Sequence, residues 1–306
     1  MHLGIYCTLA AALALSGLLM PAGRRLAPQP AAYCLALGSL VAGAAWVGAL
    51  GLLAVATVGR LSVAAAAGHW SLAVLEARDP VPVWAGVASL VVLAVVSIAV
   101  AASCRRLVHG AVQLVRLHVL AWPRCSGDVA IIDAAIPEAL ALPGWHGRVL
   151  VSSGMLRALE PREHQVLLAH ERSHLRNAHW AFRLATRLGA ALLPTLGPVV
   201  RRCDHALERW ADEDAAAAVG DRTLTATAVA KAALATTEHH RSVLVPAFSD
   251  GWVAGRVSAL LVPPVQNRWG VAAIATGLAT CALVSGIEAS RDLEGLFEAA
   301  RHVGFG

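Results

Sequence analysis

Charge is what this 306-residue sequence has least of: Asp, Glu, Lys and Arg make up only 15% of it, against 57% hydrophobic residues. Soluble domains carry about 25% charged residues, so with a mean hydropathy of +0.61 that class is excluded. Paired cysteines are also missing. Cys7, Cys34, Cys104, Cys125, Cys203 and Cys281 form no C-x-x-C, and three of them sit in apolar runs. That excludes a disulfide framework and a cysteine-ligated zinc site, and leaves small apolar fillers. The net charge of +5 comes from arginines beside the apolar runs, without an aromatic-basic patch. Membrane topology explains them better than a nucleic-acid partner, so none is expected. No internal repeat or low-complexity linker is visible.

No positive charge leads into the first apolar run, residues 3–22; Arg24 and Arg25 follow it instead. A cleaved signal peptide has the opposite order. The run reads as a transmembrane helix with an extracytoplasmic N-terminus. Residues 32–58 and 83–102 are further spans, the latter ending at Arg105 and Arg106. The polar interval 60–82, with Glu76, Arg78 and Asp79, is the least positive short loop and belongs outside. Residues 270–287 form a fourth span within 266–306, running from cytoplasm to a short extracytoplasmic tail. The chain thus divides into a membrane part (1–106), a polar cytoplasmic domain (107–265) and the last span.

Within the polar domain, residues 128–133, 139–142 and 148–152 are short runs parted by Pro137 and Pro143-Gly144, and predict a small antiparallel sheet. Residues 200–218 and 223–237 read as helices. Residues 188–200 are apolar but short, with Pro194 and Pro198. They predict a buried or re-entrant segment at the membrane surface rather than a span.

The chemistry is concentrated in His170-Glu171-Arg172-Ser173-His174, an H-E-x-x-H that Pro161 opens as a helix. Residues four apart share a helix face, so both imidazoles can reach one zinc ion, with Glu171 placed to take a proton from the attacking water. A third ligand is expected from residues 202–214, where Glu208 and Asp212 share a face and His205 joins it. Glu208 would complete a His-His-Glu set, and Asp212 could accept an N–H from a ligating histidine. The plainer alternative for Glu208 is an exposed charge paired with Arg201 or Arg209. His205 is a candidate oxyanion helper or an ordinary polar helix residue.

H-E-x-x-H followed by E-x-x-x-D resembles gluzincin-like integral-membrane peptidases, including HtpX and the CAAX prenyl proteases. The whole arrangement is most similar to the BlaR/MecR antirepressor family. The likeness runs through three spans, a segment like 147–154 before the motif, and one like Gly255-Arg256-Val257-Ser258 before a fourth span, about residues 1–290 in all. The resemblance implies an α-helical polytopic membrane protein of about four transmembrane helices with an α+β zincin-like cytoplasmic metallopeptidase domain. It implies one zinc ion per chain on His170, His174 and Glu208, Glu171 as general base, and Asp212 in support. Arg148, Val149, Leu150, Val151 and Ser152 match the edge strand that pairs with substrate in related peptidases. His179 stands where those peptidases often have an acidic residue, and receives no role. The penicillin-binding sensor domain of the receptors has no counterpart here, so direct β-lactam sensing is not implied.

The expected activity is zinc endopeptidase cleavage of a BlaI/MecI-type transcriptional repressor, with membrane lipid as the other partner and the oligomeric state open. An HtpX-like quality-control protease and a catalytically idle signalling scaffold are the alternatives, and a scaffold needs none of the five site residues.

Overall fold

A computed structural model describes residues 2–78, 81–121, 125–144, 147–240, 250–263 and 267–303. Asp79 and the expected boundary at residue 265 lie outside the described residues. Among those described, four helices are long and apolar enough to cross a membrane: α1 (His2–Arg25), α2 (Pro28–Gly59), α5 (Val83–Ala121) and α12 (Gly270–Val303). Their outward side chains are apolar, as Trp84, Val91, Val95 and Ile98 on α5 illustrate; in water such a face would be a liability, whereas lipid solvates it. α5 and α12 run past the expected span ends at 102 and 287 because no proline or capping residue stops them.

Contacts at the bundle's two ends sort the connections. At one end α3 (Ser62–Gly68) and α4 (Leu72–Arg78) meet the end of α12: the Ser71 amide donates to Ala300, and Trp70 packs edge-on against Phe297. At the other end the Arg268 amide donates to Arg25, and the Ala27 amide to Asn267. The elements of the polar domain lie at this second end, where Arg202 donates to the Gly23 carbonyl.

Four short strands form one sheet: β1 (Cys125–Ser126), β2 (Val129–Ile132), β3 (Ala139–Leu142) and β4 (Arg148–Ser152), in the order β1-β2-β4-β3. Two expectations are corrected here. The sheet is mixed, because β2 and β4 run parallel, with Ala130 opposite Leu150. Also, Arg148, Val149, Leu150, Val151 and Ser152 are no edge. β4 is bonded on both sides, to β2 and β3, so its backbone has no free ladder for a substrate. Its Val149 and Val151 are buried, as a central strand requires. The edge nearest the motif helix is β3.

α6 (Ser153–Ala158) leads into α7 (Pro161–Arg176), which starts as its sequence indicates. Pro161 opens the helix, and the Glu163 side chain accepts the Glu160 amide in a capping box. α8 (His179–Leu192), a 3-10 turn (Pro194–Leu196) and α9 (Gly197–Val219) then make a hairpin driven into the membrane bundle. Gly189 lies so close to α2 that a Cβ would meet the Ser39 carbonyl at 2.6 Å, and Gly43 faces Leu192 in the same way. Within residues 188–200, Gly189, Ala191, Leu193, Leu196 and Val199 are therefore buried against the bundle, Pro194 and Pro198 stay exposed, and the turn doubles the chain back instead of letting it span. Leu15, Leu35, Leu196, Leu207, Trp210 and Ala275 form one core, so α9 and the bundle are packed together. α10 (Arg222–His240) and α11 (Asp250–Leu261) complete the fold.

Candidate metal centre and active site

His170 and His174 project from one face of α7 toward Glu208 on α9. Three contacts hold the facing faces of these helices in place: Ser173, Arg176 and Asn177 all bond the Asp214 carboxylate. His170 Nε2 lies 3.2 Å from His174 Nε2 and 3.5 Å from Glu208 Oε2, and His174 Nε2 lies 3.6 Å from Glu208 Oε1. A tetrahedral zinc ion with ligands at about 2.1 Å needs donor separations of about 3.4 Å. The spacings, taken to one or the other oxygen of Glu208, are of that size, and among the described residues these three are the group whose ligand atoms, all within 4.8 Å of one another, could hold one metal ion.

Each histidine is held from behind. His170 Nδ1 faces Asp212 Oδ1 at 3.1 Å, and Asp212 is gripped by Arg256 of α11 through two bonds of 2.7 Å. His174 Nδ1 faces His179 Nδ1 at 2.7 Å. Ligation requires both Nε2 lone pairs to face the triangle, which the outer nitrogens allow by carrying the protons. The second proton that Asp212 and Glu208 favour on His170 would be displaced by a bound zinc ion. The proton of His179 then sits on Nε2, which is buried against Trp210 and has no hydrogen-bond partner among the described residues. Ala178 makes this possible: its left-handed backbone (φ 49°) turns the chain sharply enough for His179 to return to His174.

Burial opposes charge throughout the site, and local partners decide which groups carry it. Burial alone would depress His170, but its bonds to Asp212 and Glu208 outweigh it and lift the imidazole to about 10. Burial, reinforced by the neighbouring His170, lowers His174 to about 3, and burial with Arg183 nearby lowers His179 to about 4. Burial would likewise neutralise Glu208, yet the bond from His170 and the nearby cations hold it well below the ordinary glutamate range. Glu171 goes the other way. Burial raises its carboxyl, against the charge of His170 and a bond from the Ala141 amide of β3. A carboxyl raised toward neutrality suits proton transfer.

Two cavities flank the triangle along β3. The larger, about 480 Å3, opens beside His170 and Glu171 between Ala139–Leu140 and α10, over an apolar wall that includes Met155, Leu159, Val166 and Val229. The smaller, about 250 Å3, holds Glu171, His174 and Arg183 against the same strand.

The structure thus brings together His170, Glu171, His174, Glu208 and Asp212. It does not bring in His205, whose ring stacks on Trp252 at 5.9 Å and lines neither cavity, because the same α9 face is shared between the site and α11. Glu208 pairs with Arg183 (2.7 Å) and Arg256 (3.3 Å), not with Arg201 or Arg209. The sequence reading missed Arg183, Arg256 and the use of His179. Arg256 is the single charge in the 255–258 segment already singled out, which was the one available signal.

A helix carrying H-E-x-x-H, a second helix supplying a glutamate and a small sheet beside them, all packed into membrane helices, define a multi-pass membrane metallopeptidase. The family model of Peptidase family M48 matches residues 123–241, so the chain carries an M48 peptidase domain, and M48 peptidases are zinc metallopeptidases. Arg256 lies beyond the matched stretch although it grips Asp212 within it. No curated protein and no solved structure matches the chain.

Proposed function

We propose that the chain is a zinc-dependent endopeptidase of the cell membrane, with its active site on the cytoplasmic side, that cuts a BlaI/MecI-type transcriptional repressor in response to a signal. The observation that carries the enzymatic part is the ligand-sized triangle of His170, His174 and Glu208, with the raised carboxyl of Glu171 beside it. When bound, zinc supplies Lewis-acid polarisation of the scissile carbonyl and eases deprotonation of the attacking water. Glu171 takes that proton and later delivers it to the leaving amine. Arg183 lines the same chamber and can stabilise negative charge on the carbonyl oxygen. An extended substrate adds to the outer edge of β3 beside Ala139 and Leu140, next to the Ala141 amide that Glu171 holds, with a large apolar side chain in the wider cavity. The cytoplasmic orientation, with both termini outside, rests on Arg24, Arg25, Arg105, Arg106 and Arg268 near the ends that bear the site.

The second reading, an HtpX-like quality-control protease, is favoured by the core that the catalytic helices share with the bundle, which puts the site within reach of membrane-protein substrates. One experiment separates these readings. The detergent-purified protein and Glu171→Gln are assayed for zinc and for cleavage of a candidate repressor and an unfolded model protein. Glu171→Gln keeps its zinc and loses at least about a thousandfold in rate; the preferred substrate chooses between regulation and quality control. A folded wild type that binds no zinc would leave only the idle scaffold.

A further inference from the structure

A second site lies away from the metal, where α5 passes the α8–α9 hairpin. There a cavity of about 720 Å3 is walled by apolar side chains such as Leu107, Leu188 and Pro194, and rimmed by Arg106, Arg187 and Ser103. No acidic residue lines it. Both arginines are exposed, and among the described residues neither has a carboxylate within salt-bridge distance; Arg106 donates only to Ser103 at 3.1 Å. Asp204, the acid that feels Arg187, is already 3.3 Å from Arg183.

The depth of this cavity is set by the helices around it. Near the far end of the bundle Gly86 of α5 is packed directly on Thr57 of α2, two residues before α2 ends at Gly59. Arg106 follows Gly86 by twenty residues, about 30 Å of helix, which is the thickness of the hydrocarbon layer. Arg106 therefore stands at the level of lipid phosphates, Arg187 shares its rim although it also borders a neighbouring cavity with Asp204, and the apolar wall on α5 extends toward the acyl region. Two unpaired cations above an apolar slot complement one amphiphile in particular.

We infer that this cavity binds one anionic phospholipid, its phosphate between Arg106 and Arg187 and part of an acyl chain in the slot. Such basic pockets between membrane helices suit anionic head groups.

The test titrates the delipidated full-length protein in neutral detergent with dioleoylphosphatidylglycerol or dioleoylphosphatidylcholine and counts bound lipid by native mass spectrometry. One phosphatidylglycerol should bind per chain with a preference of about fivefold per arginine, roughly 25-fold in all. Arg106→Gln with Arg187→Gln should abolish the preference, and Ala102→Trp, which fills the slot, should lower binding of the lipid with both arginines present. Arg105→Gln, at the same level but outside the cavity, should leave the preference intact. Equal affinity for the two lipids, or equal loss in Arg105→Gln, would overturn the site. Displacement of the lipid by millimolar-range glycerol 3-phosphate would overturn the lipid in favour of a soluble phosphate ester.

Discussion

The two histidines that face Glu208 present the same nitrogen to one point and are held in opposite ways. Behind His170 stands a carboxylate, Asp212, only 2% exposed and forked by Arg256, so that half of the centre is a buried chain of alternating charges. Behind His174 stands a second imidazole, His179, depressed by burial and packed on Trp210. The first arrangement gains from full ionic pairing but leaves a strong charge exposed to loss of its partner. The second needs no charge, and relies on a tight turn and ring packing to place a neutral acceptor. Orientation of a ligand is thus a matter of geometry that either chemistry can supply.

The charged half should break hardest. Asp212→Ala leaves Arg256 buried without its main partner, and should cost about 3–5 kcal/mol and up to a hundredfold in zinc affinity, read by thermal unfolding and chelator competition. The neutral half should give less. His179→Ala should weaken zinc binding about tenfold with a smaller loss of stability. His179→Gln, whose amide oxygen can accept from His174 Nδ1, should recover most of that affinity. An unrescued glutamine variant would mean that His179 acts only by filling space against Trp210.

The start of α7 sharpens the comparison, because its charge can be titrated without touching either support. Burial opposes ionisation of Glu163, but the Glu160 amide and Lys231 outweigh it and hold the carboxyl below its ordinary 4.5. A depressed folded-state value means that the unfolded chain binds the proton first. The contribution of Glu163 is therefore complete above about pH 4.5 and disappears as the pH falls through its folded value. Glu163→Gln should be less stable near neutrality and should show a flatter stability curve below that point. The smallest effect is expected at the corner of the neutral half. Ala178→Gly removes the side-chain penalty of φ 49° and should stabilise the protein by about 0.5–1 kcal/mol, net of the freer unfolded chain. A lower melting temperature would show that the turn depends on the alanine methyl group.

Much of this was legible in the residues alone. The α7 face with His170 and His174, the shared face of Glu208 and Asp212 and the Pro161 start of α7 are all consequences of local helical period and backbone geometry. The two groups that grip Glu208 were not legible, since Arg183 and Arg256 arrive from two other helices, one far along the chain. His205 shows the limit of face arguments: it shares a helical face with Glu208, yet α11 packs close enough to occupy its ring with Trp252.

The sequence by itself determined the apolar spans, the pair of helices that carry the candidate site and the residue types in it, because hydrophobicity and helical periodicity act over neighbouring positions. Only the tertiary structure decided that β3 rather than β4 is an edge strand among the described residues, that His179 supports His174, and that the α8–α9 hairpin enters the bundle. Strand order, ring-to-ring contact and close helix approach each depend on segments distant in the chain meeting in space, and no local pattern specifies which ones meet.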